Sequence, residues 1–477
     1  MKPALVIRTA IRAQPHTLFT LSMACALAVL SGCSSLPVFV PDLTRQGAAA
    51  VQLEGVQGPL STAQSRAILK RLEIDGRQTD IFERHLALEE AIVGSPLTIG
   101  NEARLLEDGP ATYQAMISAI EAARDHINIE AYIFDDDEVG QRFAQALSAK
   151  QAQGVQVNLL RDSAGTFSTP KAFFDALSAS GILVHEFNPV NPLAARESWQ
   201  WNQRNHRKLL IVDGEVAFLG GINISSVYSG GSFQIGSRGA PKGVTGVDPA
   251  WRDTDLQLKG PVVAELQKIF LDDWARQKGP PLAAKNYLPP AVAAGRQVVR
   301  AIGSSPQEPY SLIYVTLLSA INSAETSVRI TNAYFVPDAQ LLAALQAAAQ
   351  RGVDVALILP SQTDSWLTFH AGRRFYAQLL QSGVKIFERR GVILHSKTAL
   401  IDGVWSTIGS TNLDWRSFLH NYEINVVLLG TEFGAQVQAM FDKDLAQSQR
   451  ITLQAWQRRR IDLRVMELAA GIWAYWL

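Results

Sequence analysis

The chain carries one string twice: His206-Arg-Lys-Leu-Leu-Ile-Val-Asp-Gly-Glu-Val-Ala-Phe-Leu-Gly-Gly-Ile-Asn223, and later His395-Ser-Lys-Thr-Ala-Leu-Ile-Asp-Gly-Val-Trp-Ser-Thr-Ile-Gly-Ser-Thr-Asn412. Measured from the histidine, both copies place lysine at +2, aspartate at +7, a pair of small residues at +14 and asparagine at +17. A match at this many fixed positions marks an internal duplication. Residues 208–212 and 398–401 read as apolar strands, Asp-Gly is a favoured hairpin turn, and 216–219 and 405–408 read as return strands. Residues two apart on a strand share a face, so each histidine sits beside its own lysine. The return strand brings Asn223 and Asn412 back towards their histidines. Small residues at 220, 221, 409 and 410 let backbone N–H groups approach an anion.

The repeat extends outward from these strings. Ile127-Asn-Ile-Glu-Ala-Tyr-Ile-Phe134 alternates like a strand, follows an amphipathic stretch at 111–123, and precedes a helical segment at 140–153 and a glycine-led strand at 154–160. The same order returns at 321–324, 328–335, 339–350 and 352–358. Strands alternating with helices predict an α/β fold of two similar lobes, each a mixed sheet flanked by helices and related by a pseudo-twofold. The expected division is 33–100 as a tether with helices at 62–73 and 79–93, a first lobe at 101–278, a proline-rich linker at 279–295, a second lobe at 296–450 and a terminal segment at 451–477. Whether the two early helices pack on the core or act as a spacer stays open at this level.

The 477 residues hold 44 Lys+Arg against 44 Asp+Glu, and 18% are charged with 47% hydrophobic, which excludes disordered and low-complexity classes. Residues 1–32 hold Lys2, Arg8 and Arg12 and no acid, so without them 41 basic residues face 44 acidic ones, a net of −3. That balance disfavours nucleic acid as a partner, because such binding rests on phosphate neutralisation. The apolar run at 18–30 suits a signal peptide better than a membrane span. It ends in Leu30-Ser-Gly-Cys33, which resembles a bacterial lipobox with Cys33 as the lipidated residue. The expectation is therefore an exported protein, lipid-anchored on the periplasmic face, the outer membrane favoured over the inner.

The two strings carry the chemistry. Two such faces meeting across a pseudo-twofold assemble two imidazoles, two ammonium groups and two amides in one pocket, an inventory suited to a phosphodiester. One histidine attacks phosphorus and the other protonates the leaving alcohol, while lysines and amides stabilise the nonbridging oxygens. Asp213 and Asp402 complete the motifs, but their turn positions point to structural duty. The other histidines of the mature chain, 85, 126, 185, 370 and 420, lack metal-ligand spacing, so neither metal nor other cofactor is expected.

The duplicated HxKxxxxD pattern followed by GGxN or GSxN resembles the phospholipase D superfamily, over residues 100 to 450. Trp251-Arg-Asp-Thr-Asp-Leu-Gln-Leu-Lys-Gly-Pro-Val-Val263 and Gly409-Ser-Thr-Asn-Leu-Asp-Trp-Arg-Ser-Phe-Leu-His-Asn-Tyr-Glu-Ile-Asn425 are similar to bacterial cardiolipin synthases. The resemblance implies a ping-pong reaction through a phosphatidyl-histidine, with His206 as nucleophile, His395 as acid, Lys208 and Lys397 beside them, and Asn223, Asn412 and Ser410 on the substrate phosphate. It also implies an acid that orients each histidine. Glu423 matches one, and aligning Asp253-Thr-Asp-Leu256 with Asn421-Tyr-Glu-Ile424 makes Asp255 the other. The expected function is phosphatidyl transfer between membrane phospholipids, phosphatidylglycerol in particular, at a membrane surface. The alternatives are a phospholipase D using water and, less favoured, a phosphodiesterase acting on nucleic acid.

Three further features are read with alternatives open. The glycine-rich stretch at 229–248 is a lid or a surface insertion. His370 with Arg373-Arg374 belongs to a solvated helix face in preference to a phosphate site. The end of the chain, with Trp456, Arg458, Arg459, Arg460, Arg464, Ile472, Trp473, Tyr475 and Trp476, suits a membrane interface or a helix docked on the core. Oligomeric state leaves no signature.

Overall fold

Both Asp-Gly hairpins form. In a computed structural model, Asp213 and Asp402 have φ of 55° and 52°, and Gly214 and Gly403 have 68° and 70°, the positive values a type I′ turn requires at its two central residues. Leu209–Val212 returns antiparallel as Val216–Gly220, and Lys397–Ile401 as Trp405–Gly409. The turn carboxylates do structural work. Asp213 accepts from the backbone N–H groups of Arg124, Asp125 and His126 at 2.9, 2.8 and 3.0 Å. Asp402 accepts from Glu325, Thr326 and Ser327 at 2.9, 2.8 and 2.8 Å. Each thereby ties its hairpin to the start of the neighbouring strand, His126–Ala131 or Ser327–Asn332.

The structure describes residues 50–73, 79–191, 200, 202–230 and 250–473. The expected signal peptide, Cys33, residues 231–248 of the glycine-rich stretch and the last four residues lie outside them.

Hydrogen-bonded strands run through both halves in mirrored order. The first half reads Leu183–Phe187, Gln156–Asp162, His126–Ala131, Leu209–Val212, Val216–Gly220, Asp255–Lys259, Leu97–Leu106. The second reads, from the seam outward, Gln297–Ser304, Asn421–Leu429, Trp405–Gly409, Lys397–Ile401, Ser327–Asn332, Asp354–Pro360, Lys385–Arg389. Leu97–Leu106 pairs antiparallel with Gln297–Ser304 and joins the halves into one mixed sheet. In each half three strands are parallel and bridged by helices, as crossovers demand. Residues 279–295 carry no helix or strand and run along the first half, where Asn286 N–H donates to Asp125 and Ala294 N–H to the Gly100 carbonyl.

One apolar cluster crosses the seam. Leu219, Leu256, Leu258, Phe270 and Trp274 of the first half pack with Ile408, Ile424, Val426 and Met440 of the second. Burying side chains of this size stabilises by about 1.5–3 kcal/mol each, which fixes the halves against each other beneath the site.

The two early helices appear as Thr62–Leu72 and Leu86–Ile92, the second entered through a π turn, Ile81–His85. The second packs on the core. Its fully buried Glu89 pairs with Arg300 at 3.0 Å and with His85 at 3.2 Å, and Trp405 Nε1–H donates to it at 3.4 Å. Burial pushes the Glu89 carboxyl up, but His85 and Arg300 outweigh it and hold it below the ordinary range. The last helix among the described residues, Ile461–Gly471, is docked on Trp366–Arg373 through Ala470 against Ala371. Among the described residues no helix is long and apolar enough to cross a membrane.

Candidate active site

His206 and His395 lie just before the first strand of each hairpin, and each is docked onto the opposite half. Arg204–Asn205 pairs parallel with Asn421–Tyr422, and the His206 N–H donates to the Tyr422 carbonyl at 3.0 Å. Trp251–Arg252 pairs parallel with Ile393–Leu394, and the His395 N–H donates to the Arg252 carbonyl at 2.7 Å. The next residue along each receiving strand is an acid, and it takes that histidine's Nδ1–H. Glu423 accepts from His206 at 3.0 Å, and Asp253 accepts from His395 at 2.6 Å. With Nδ1–H committed to a carboxylate, each ring presents its Nε2 lone pair to chemistry.

Asp253 therefore stands where the sequence pointed to Asp255. Strand register explains the two-residue slip. Asp255 pairs with Gly220 and Asn425 pairs with Gly409, the two glycines at +14. A Cβ on Gly220 would lie 2.1 Å from Asp255 Oδ1, and one on Gly409 would lie 2.2 Å from Asn425 Oδ1. So Asp255 corresponds to Asn425, and Asp253 to Glu423. A two-residue slip keeps every side chain on its own face, so the alternation of a strand does not reveal it. Asp255 accepts instead from the Ile222 N–H at 3.0 Å, and burial together with neighbouring Asp253 pushes its carboxyl well up.

The small residues at 220, 221, 409 and 410 make room for these acids. A Cβ on Gly221 would sit 2.2 Å from Asp253 Oδ1. Its counterpart Ser410 has a side chain, and its hydroxyl donates to Glu423 Oε2 at 2.5 Å. Asn421 Nδ2 donates to the other oxygen at 3.2 Å. Burial pushes the Glu423 carboxyl up, but His206, Lys208 and Ser410 outweigh it and hold it below the ordinary range. Arg207 braces the same strand, its Nε–H donating to the Glu423 carbonyl at 3.0 Å while the guanidinium pairs with Asp273.

Both lysines are buried beside their histidines. Lys208 Nζ donates to the His206 carbonyl at 2.7 Å, and Lys397 Nζ lies 2.8 Å from His395 Nδ1 and 4.0 Å from Asp253. Burial lowers Lys208 to about 7 and Lys397 to about 8, against the opposite pull of Glu423 and Asp253. Burial also lowers His206 to about 4, with Glu423 recovering part of the shift, and burial with Lys397 lowers His395. At neutral pH the His206 imidazole is thus uncharged, as a nucleophile must be.

The asparagines differ between the halves. Asn223 Oδ1 accepts from the Ile133 N–H at 3.3 Å, and its Nδ2 donates to the Tyr228 hydroxyl at 3.0 Å. Asn412 Oδ1 is buried with no hydrogen-bond partner among the described residues. Sequence reasoning missed Tyr228. Its hydroxyl lies 3.3 Å from His395 Nδ1, and its ring packs on Trp251, itself 5.1 Å from His395. Counting from the asparagines, the second half has Ser417 at that place, so the duplicated site is not chemically symmetric. Tyr132 and Tyr334, just past the repeated strands, lie 4.8 Å from His206 and 5.9 Å from His395. His370, expected on a solvated helix face, is buried, its ring tilted against that of Trp366 at 4.8 Å.

A mirrored α/β sheet whose halves exchange histidines and acids across one buried site defines a two-lobed enzyme of the phospholipase D type. The family described as cardiolipin synthase, PLD-like domain, matches residues 116–229 and 317–445. The chain belongs to that family. It is 35% identical over 385 residues to a cardiolipin synthase of Geobacillus sp. (strain WCH70), covering 80% of this chain and 74% of that one. It is 37% identical over 387 residues to cardiolipin synthase A of Pseudomonas putida, covering 79% and 76%. The fold is shared with the crystal structure of phosphatidylserine synthase from Haemophilus influenzae Rd KW20, at a TM-score of 0.56, 14% identity, and coverage of 78% of this chain and 95% of that one.

Proposed function

We propose that this enzyme transfers a phosphatidyl group from one phosphatidylglycerol to another, giving cardiolipin and free glycerol, at a membrane surface. The observation that carries the reading is the crossed pair, His206 on Glu423 and His395 on Asp253, with Lys208 and Lys397 buried beside them. In the first half-reaction His206 Nε2 attacks phosphorus, the P–O bond to the leaving glycerol breaks, and His395, protonated on Nε2 once the phosphodiester anion has entered, supplies that oxygen's proton. In the second, an acceptor hydroxyl gives its proton back to His395, attacks phosphorus, and the P–N bond to His206 breaks. The lysines, partly uncharged at neutral pH, gain protons when a phosphodiester anion enters, and they stabilise its nonbridging oxygens. The chain's own cations thus do work that other phosphoryl-transfer enzymes give to metal ions.

Mass spectrometry of the products from phosphatidylglycerol in mixed micelles tests this reading. Cardiolipin and glycerol from wild type, absent with His206→Ala, support it. Phosphatidic acid as the sole lipid product makes the enzyme a hydrolase, and no lipid product overturns both. Anchoring through Cys33 belongs to the same proposal: Cys33→Ala is expected to release the protein from the membrane fraction, and unchanged sedimentation contradicts it.

A further inference from the structure

The helix Ile461–Gly471 is amphipathic in the inverse sense for a body surrounded by water. Its inward face carries Glu467 and Ala470, 2% and 1% exposed, with Glu467 held by Arg459 at 2.6 Å. Its outward face carries Ile461, Val465 and Leu468, with Ile472 just beyond, at 78%, 61%, 71% and 70% exposure. The spacing of four, three and four makes these one stripe, which a water-facing helix fills with polar residues. Arginines border it: Arg458, Arg460 and Arg464 are exposed, and Arg374 reaches across to the Gly471 carbonyl at 2.9 Å.

Exposed aromatic rings also stand near the site in both halves. Among the described residues, the Phe and Trp side chains that count as exposed are Phe167, Trp366 and Trp473. Phe167 lies two residues after Gly165, which packs so closely on the Tyr132 carbonyl that a Cβ would come within 2.1 Å of it, and the Tyr132 ring touches His206. Trp366 lies two residues after Asp364, which accepts from the Tyr334 hydroxyl at 2.6 Å, and Tyr334 neighbours His395. Trp366 also opens the helix on which Ile461–Gly471 is docked.

We propose that the outward stripe, with Trp473, Trp366 and Phe167, is the surface on which this enzyme rests against an anionic phospholipid leaflet, so that lipid reaches His206 and His395 without leaving the bilayer. The proposal rests on the phospholipid substrate argued above. Charge selects this occupant over others. A second copy would bring the same arginines against each other across a twofold. Residues 33–49, which processing at Cys33 would leave ahead of the described chain, hold one acid, Asp42, and one base, Arg45, and so bring no net charge to meet the arginines. An anionic leaflet complements the arginine border while the stripe and the rings enter the headgroup boundary.

The test uses full-length protein and vesicles whose phosphatidylglycerol carries brominated acyl chains, which quench tryptophan at the depth they reach. Quenching is expected to fall in Trp473→Phe and to fall further in Ile461→Asp/Leu468→Asp, and to be weaker with brominated phosphatidylcholine. Wild type quenched no more than Trp473→Phe overturns the proposal, as does equal quenching by both lipids. So does light scattering that shows a dimer which the Asp pair converts to monomer. The substituted side chains are exposed, so turnover of detergent-dispersed phosphatidylglycerol by the Asp pair should stay within about twofold of wild type. Quenching as expected without lipid turnover by wild type counts against the proposed reaction and leaves the surface standing.

Discussion

The backbone N–H of His395 donates to the carbonyl of Arg252 at 2.7 Å, and the next residue, Asp253, takes the Nδ1–H of the same histidine. His206 repeats this on Tyr422 and Glu423. One stretch of strand thus sets both the height and the tautomer of a histidine supplied by the other half, so neither half is complete alone.

Asp253 and Asp255 separate cleanly on this account. Asp253→Asn replaces the acceptor-only carboxylate that fixes the His395 tautomer by an amide that can also donate, and is expected to lower kcat by about 10²–10⁴. Asp255→Asn installs the neutral amide that the second half already has as Asn425, and should leave kcat within about threefold. Steady-state kinetics of the two variants decide it, and the reverse ranking would restore the sequence-based assignment.

How far the site was legible follows from these residues. The histidines, lysines and aspartate turns follow from the repeat, because the hairpin fixes their spacing within one strand pair, and Glu423 follows from the resemblance to cardiolipin synthases. Asp253 does not, because the contact joins residues 142 apart in sequence and strand periodicity is blind to a two-residue slip. Aligning Asp255 with Asn425 through Gly220 and Gly409 was the signal available. Tyr228 had no counterpart in the second copy to mark it. The small residues were read as an approach for an anion; Gly220 and Gly221 admit the carboxylates of Asp255 and Asp253, and Gly409 the amide of Asn425. The mirrored order of alternating strands and helices was plain in the sequence, and their fusion into one sheet through Leu97–Leu106 was not, since an edge pairing leaves no pattern in composition.

Gly221 tests the packing directly. With a Cβ only 2.2 Å from Asp253 Oδ1, Gly221→Ala must displace that carboxylate and is expected to cost at least about a hundredfold in kcat. Ser410→Gly, which removes one hydrogen bond to Glu423, is expected to cost about tenfold or less. Equal activity of Gly221→Ala and wild type would contradict the described contact.

The lysines make stability depend on pH in an unusual direction. Unfolded, Lys208 keeps its proton up to about 10.5, whereas folded it releases it near 7. Between those values the unfolded chain binds more protons, so this residue makes stability rise with pH. Its cost to the fold is greatest below pH 7 and fades towards 10.5. Lys208→Met is therefore expected to abolish turnover while raising Tm, with the largest gain at or below neutral pH and a shrinking gain in alkali. Thermal unfolding across that range measures it, and a gain that grows with pH contradicts the lowered value.

The early helix Leu86–Ile92 belongs to the folded body. Arg300→Met strands Glu89 in the core without its cation and is expected to destabilise by about 3–5 kcal/mol, read by urea denaturation. A loss below about 1 kcal/mol would mean that the helix contributes little to the fold.

In the proposed reaction His206 becomes the covalent carrier while His395 moves protons. The most direct measurement is peptide mass spectrometry after rapid quenching of enzyme and phosphatidylglycerol under alkaline denaturing conditions, which preserve a phosphorus–nitrogen bond. The account predicts a phosphatidyl adduct on the peptide holding His206, absent in His206→Ala. An adduct on His395 instead, or full turnover by His206→Ala, contradicts it.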